Sequence, residues 1–129
     1  VDVKNRHYQT KHYQLSDING TQIIELDIEI DGEVQRLRGE GNGPISAMLD
    51  ALQLPIDVVN YEERSIGSGA NAKALALTEL QAKGTGKSAF GAGIHDNIVT
   101  SSIEAIIACT NRLIEQGVLT TEQVAAAAV

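Results

Sequence analysis

A single cysteine, Cys109, stands among the 129 residues, so no internal disulfide can form and a reducing, cytoplasmic setting is expected. No run approaches the ~20 apolar residues of a membrane span, and nothing at the start resembles a signal peptide. Basic residues are scarce as well: 10 Lys+Arg stand against 17 Asp+Glu, for a net charge of -7 and a sequence pI near 4.8. That is the wrong sign for neutralising phosphate backbones or anionic lipid, which argues against nucleic acid and membrane surfaces as partners. Methionine is missing from the first position, Val1, and a piece cut from a longer polypeptide is expected. At this length one domain with one core should form, burying roughly two thirds of its unfolded surface.

Glycine, by contrast, is plentiful, at 12 residues. The run Gly39-Glu40-Gly41-Asn42-Gly43-Pro44 returns, altered, 52 residues later as Gly91-Ala92-Gly93-Ile94-His95-Asp96, and each copy leads into an apolar, helix-like segment. Glycines permit backbone conformations closed to other residues and let a ligand approach the main chain. A helix N-terminus adds unpaired N–H groups suited to a carboxylate or phosphate. Two Gly-rich turns, each opening a helix, point to a binding module.

Apolar spacing places the elements around these turns. Ile24, Leu26, Ile28 and Ile30 alternate with Glu25, Asp27 and Glu29, as in a half-buried strand, and Asp31-Gly32 supplies a two-residue hairpin turn into a partner strand at 33–38. Pro44 suits the first turn of a helix that carries Ile45, Met48, Leu49 and Leu52 at helical spacing until Pro55. A further strand fits residues 12–18, after a polar lead-in over 1–11. The order then repeats, with strands at 56–65, 71–83 and 87–91 and a helix from about Asn97, capped by Asp96 and stopped at Gly117. The helical positions of the copies match if the second carries one extra residue, pairing Ile45 with Ile98 and Leu52 with Ala105. The expected fold is α+β: two β-β-β-α units related by pseudo-twofold symmetry, packed as one domain because neither could bury its sheet alone. Ala70, Ala72, Ala74 and Ala76 form a small face suited to close packing against Ser102, Ala105 and Cys109 or against a second subunit.

Catalytic and metal-binding readings fare poorly. His95 and Asp96 read as a turn residue and a helix cap before an acid/base pair. His7 and His12 lie in a polar stretch without nearby cysteine or an acidic cluster, a poor metal site. Ser101 and Ser102 have no plausible base partner, and Lys87 near Gly84 and Gly86 lacks the spacing of a phosphate-binding loop. Glu25, Asp27 and Glu29 form a solvated strand face. No cofactor and no metal is expected.

Three stretches in fixed order resemble the C-terminal regulatory domain of 2-isopropylmalate synthase. They are Gly39-Glu40-Gly41-Asn42-Gly43-Pro44-Ile45, then Asn60-Tyr61-Glu62 through Ser68-Gly69-Ala70-Asn71-Ala72, then Gly91-Ala92-Gly93-Ile94 with Asp96-Asn97-Ile98-Val99-Thr100-Ser101-Ser102. The resemblance spans about residues 12–113. It implies a dimeric, non-catalytic domain that binds L-leucine at its subunit interface and inhibits a catalytic barrel upstream in the same polypeptide. It also implies that leucine's polar ends lie near Gly41, Asn42, Gly43 and Pro44 and the backbone of Ile45 and Ser46, with apolar contacts from Ile45, Val58, Tyr61, Ala72 and Ile94. Ser65 carries a hydroxyl where the family often has a small apolar residue, which bears on pocket size. The implied layout is a linker at 1–11, a regulatory domain at 12–117 with units at about 12–54 and 56–116, and a tail at 118–129. Two alternatives stay open: an isoleucine-sensing regulatory domain of citramalate synthase, and a purely structural dimerisation module.

Overall fold

A computed structural model describes residues 7–120. Strand β1 (Tyr8–Ile18) pairs antiparallel with β2 (Thr21–Ile30), which pairs with β3 (Glu33–Gly41), and helix α1 (Pro44–Leu52) returns across this sheet. Strands β4 (Ile56–Ile66), β5 (Lys73–Ala82) and β6 (Ser88–His95) form a second antiparallel sheet in the same order, covered by helix α2 (Ile98–Glu115). The expected α+β fold of two β-β-β-α units is therefore present. Its strict alternation on β2 puts Ile24, Leu26, Ile28 and Ile30 into the core, and Asp31 and Gly32 take the positive φ of 49° and 91° that a tight hairpin requires. Helix α2 is enclosed on several sides: it lies on β5 and β6 and also touches α1 and β1, so one hydrophobic core runs through both units.

Strand β1 begins at Tyr8, ahead of the expected start near His12, and Tyr8 is a core residue with 2% exposure. Its anchor lies 103 residues away. The Asn111 side chain on α2 accepts from the Tyr8 N–H at 2.8 Å and donates to the Tyr8 carbonyl at 2.9 Å, doing for β1 what a neighbouring strand would do. At the other end, Leu119 is buried, with its N–H bonded to the Leu113 carbonyl, so core packing runs two residues past the expected stop at Gly117. The remainder of the expected tail, from 121, and the lead-in before residue 7 lie outside the described residues.

Strand register overturns the sequence alignment of the two copies. Both first strands carry a bulge, between Thr10 and His12 in one unit and between Val58 and Asn60 in the other, which equates Ile24 with Ala76. Ile24 pairs with Gly39 and Ala76 pairs with Gly93, so Gly39 corresponds to Gly93 and not to Gly91. The hairpin before β6 is two residues longer than the one before β3, as the pairs Glu29 with Val34 and Gln81 with Ser88 show. Pro44 then corresponds to Ile98, each opening its helix, and Ile45 to Val99.

The glycines themselves are not turns. Gly39 and Gly41 lie in β3, Gly91 and Gly93 in β6, and none of the four has a positive φ. They are thin so that a helix can lie on the strand. A Cβ at Gly39 would run into the Ala47 carbonyl and the Ala51 N–H, and one at Gly93 into the Ser101 carbonyl and, at 3.0 Å, the Ala105 nitrogen. The matching pairs of helix residues confirm the register. The small face of β5 serves the same purpose. Ala74 and Ala76 look onto α2, where Ser101 Oγ donates to the Ala74 carbonyl at 2.9 Å, whereas Ala70 lies in a 3-10 turn and Ala72 just before the strand.

Candidate functional site

The expected site residues fall into two groups, one at each helix N-terminus. In the first unit, Gly41 ends β3 against the first turn of α1, where a side chain would meet Ser46 Cβ at 2.5 Å and the Ala47 nitrogen at 2.7 Å. Asn42 is exposed, and Gly43 stands at the helix cap in extended conformation with φ -160°. No side chain closes this terminus. Gly43 has none to offer, Pro44 has no N–H, and no acidic residue sits in the first turn, so the Ile45 and Ser46 N–H groups face outward without a side-chain acceptor.

The second unit is finished differently. Asn97 Oδ1 accepts from the Val99 N–H at 2.7 Å and from the Thr100 N–H at 3.3 Å, which satisfies the start of α2. Asp96 was the expected cap. It instead pairs with Lys73 Nζ at 2.7 Å, and that hydrogen bond and charge hold its carboxyl below the usual range. The Asn97 side chain is the better cap here because it stands at the position immediately before the helix. His95 Nδ1 accepts from the Asn97 N–H at 3.0 Å, so the ring supports the turn and does not pair with Asp96 as an acid or base.

Val58, Tyr61 and Ser65 share the inner face of β4, opposite Leu80, Thr78 and Ala74. Tyr61 reaches α2, with its hydroxyl 2.6 Å from Ser102 Oγ and 2.9 Å from the Glu63 carboxylate that it donates to. Burial pushes the Tyr61 hydroxyl up, the Ser102 bond lowers it and the Glu63 bond and charge raise it further. Ser65 and Ala72 line a hollow of about 370 Å³ with Lys73, Asp96 and Ile98 at the start of α2. Ile45 and Val58 both pack on the shared core, one from each unit.

Ile94 does not join this group. It is 54% exposed on the outer face of β6, the face opposite to the one Gly93 presents to α2, so an effector lying between β4 and α2 could not touch it in the same chain. A larger hollow, about 690 Å³, runs along α2 beside the start of β1 and is lined by Thr10, Glu104, Asn111 and Arg112, none of them expected from the sequence. Thr10 Oγ1 there is a buried side-chain oxygen without a partner.

Two contacts near the site had no expectation attached. Tyr13 on β1 corresponds through the bulge register to Tyr61 on β4, and its hydroxyl lies 2.6 Å from Thr100 Oγ1, so tyrosines of both units converge on the first two turns of α2. Aligning the copies on their first strands, and not on their glycines, would have revealed the pair. Ser101 Oγ is committed to carbonyls, and burial raises the Cys109 thiol to about 11. No group of three His, Cys, Asp or Glu among the described residues could hold a metal ion, and no described helix is long and apolar enough to cross a membrane.

Comparison with known proteins accords with this architecture. The family model described as the LeuA allosteric (dimerisation) domain matches residues 2–114. A 2-isopropylmalate synthase of Azoarcus sp. (strain BH72) is 44% identical over 109 residues, covering 84% of this chain and 19% of the relative. One from Paraburkholderia phytofirmans is 42% identical over 100 residues, covering 78% and 18%, and one from Pseudomonas syringae pv. tomato is 35% identical over 112, covering 87% and 20%. The chain thus spans about a fifth of the length of the curated relatives it matches.

Proposed function

The chain belongs to the LeuA allosteric (dimerisation) domain family, and from that premise we propose that it binds L-leucine and carries feedback inhibition to the catalytic barrel of a 2-isopropylmalate synthase. The observation that carries the reading is the difference between the two helix starts. The start of α2 is closed by Asn97, whereas α1 offers the Ile45 and Ser46 N–H groups, with the helix dipole behind them, to an outside anion. An amino acid's carboxylate suits that terminus, and the Asn42 amide oxygen beside it suits the ammonium group. Ile45 beside this terminus would offer the apolar side chain its nearest contact, whereas Val58 and Tyr61 belong to the second group and Ser65 and Ala72 line the separate hollow at the start of α2.

In this reading the domain does no chemistry of its own, uses no cofactor or metal, and works as a homodimer in the cytoplasm. Leucine favours one arrangement of the dimer, and the preference reaches the barrel as a coupling of about 1–3 kcal/mol. Calorimetric titration tests it. Leucine should give saturable heat and raise the melting temperature, with isoleucine competing weakly. Absence of both effects at millimolar leucine would overturn the proposal, and tighter binding of isoleucine would assign the domain to citramalate synthase regulation.

A further inference from the structure

Asparagine stands directly before glycine at two places, Asn19-Gly20 and Asn42-Gly43, and every other described asparagine precedes a residue with a side chain. The pairing matters because the backbone nitrogen of the following residue can attack the asparagine side-chain carbonyl, and a Cβ on that residue stands in its way. Both asparagines are exposed, so water and base reach both. Their neighbouring nitrogens are not equivalent. Asn19 and Gly20 form the tight turn between β1 and β2, at φ 52° and 85°, and the Gly20 N–H donates to Asp17 Oδ1 at 3.0 Å. An N–H held by a carboxylate resists losing its proton, which the attack requires. Gly43 lies between β3 and α1, and among the described residues no group accepts from its N–H.

We propose that Asn42-Gly43 is a self-modification site, at which the folded chain deamidates through a cyclic imide, while the hairpin protects Asn19. The Gly43 nitrogen loses its proton to base and attacks Asn42 Cγ. A new N–C bond forms there, the Cγ–Nδ2 bond breaks, and the amide nitrogen leaves as ammonia. Water then opens the imide at either carbonyl, giving aspartate or, where the main chain is rerouted through Cγ, isoaspartate. Water is the only co-reactant, and nothing is oxidised or reduced. Either product replaces a neutral amide with a carboxylate, so a negative charge arrives beside the Ile45 and Ser46 N–H groups that no side chain of the folded protein closes. The modification does not rest on the effector reading, but it falls on the same helix start, so leucine becomes a probe of both.

Incubation of the folded chain at mildly alkaline pH, followed by peptide mass analysis, decides the matter. Asn42 should convert at least about tenfold faster than Asn19, the effect of one charge-assisted hydrogen bond on the Gly20 N–H. In urea, where that bond is lost, the two rates should draw together. Asp17→Ala should free the Gly20 nitrogen and quicken conversion of Asn19 alone. Gly43→Ala should slow conversion of Asn42 and keep the fold, because φ is -160° and nothing lies within 4 Å of a Cβ there. Equal rates at the two sites of the folded chain overturn the proposal, as does an Asn42 that converts only in urea. An Asp17→Ala variant that leaves Asn19 unchanged overturns the hydrogen bond as the source of the selectivity. Saturating leucine should slow Asn42 and leave Asn19 unaffected. Conversion of Asn42 that leucine does not slow leaves the modification standing and removes only the effector from the start of α1.

Discussion

At the scale of single residues, the chain spends glycine where backbones must touch and spends burial where a proton must stay. Gly39 and Gly93 allow helices to rest on strands, a role for which flexibility is irrelevant and only the missing Cβ counts. Tyr8 shows the second habit. Burial first, and the Asp31 carboxylate second, push its hydroxyl from 10.0 to about 12, so the folded state holds this proton more tightly than the unfolded one. A group of this kind contributes fully below the unfolded value and loses its contribution as pH rises toward the folded one. Stability should therefore fall between pH 10 and 12 by up to roughly 3 kcal/mol on account of Tyr8, at about 1.4 kcal/mol per pH unit. Urea unfolding at a series of alkaline pH values should show Tyr8→Phe losing stability less steeply than the parent chain. Equal slopes would mean that the phenol ionises without cost and is wetter than its position indicates.

At the scale of elements, the two helix starts present a choice between stability and binding. Asn97 caps α2 from within, whereas Gly43 leaves α1 open, although serine or asparagine there would supply an acceptor at no backbone strain because φ is -160°. Gly43→Ser should raise stability by a few tenths of a kcal/mol and at the same time weaken leucine binding about tenfold, since the new hydroxyl occupies an N–H that the carboxylate needs. Denaturation and calorimetry on one variant check both halves, and a stabilised protein with undiminished affinity would move the ligand away from α1. These elements were legible to different degrees. The alternation of Ile24 to Ile30 and the spacing of Ile45, Met48 and Leu52 are local patterns that fix their own secondary structure, so β2 and α1 could be read directly. The glycine pairs misled because the same residue serves turns and close packing, and what separates the two uses is a helix lying across the strand. The true alignment depends on hairpin length and a bulge, which repeated residues do not encode. The sequence points to Asp96 as the cap of α2, one residue before Asn97, because both side chains can accept from a helix N–H.

At the scale of the whole molecule, the question is whether two copies of one motif fold as two bodies or as one. The sequence argued for one from the poverty of each unit alone, and the structure supplies the joint: Asn111, in the second unit's helix, satisfies both backbone groups of Tyr8 in the first unit's edge strand. The joint was illegible in sequence, since an asparagine in an apolar helix and a tyrosine in a polar lead-in give no hint of each other across 103 residues. Asn111→Leu removes both partners and strands a buried N–H and carbonyl, at about 1–3 kcal/mol for each group left unsatisfied. If the units share one core, that loss is a loss to the entire chain. Hydrogen exchange should then quicken by the same factor at slowly exchanging amides of β2 in the first sheet and β5 in the second, and unfolding should remain a single transition. If instead only β1 exchanges faster while β5 keeps its protection, the units are separable bodies. A signal from an effector at α1 would then have to pass through the dimer surface and not through α2. The shared enclosure of α2, which touches β1, α1, β5 and β6, favours the first outcome, because loosening the helix exposes apolar surface of both units.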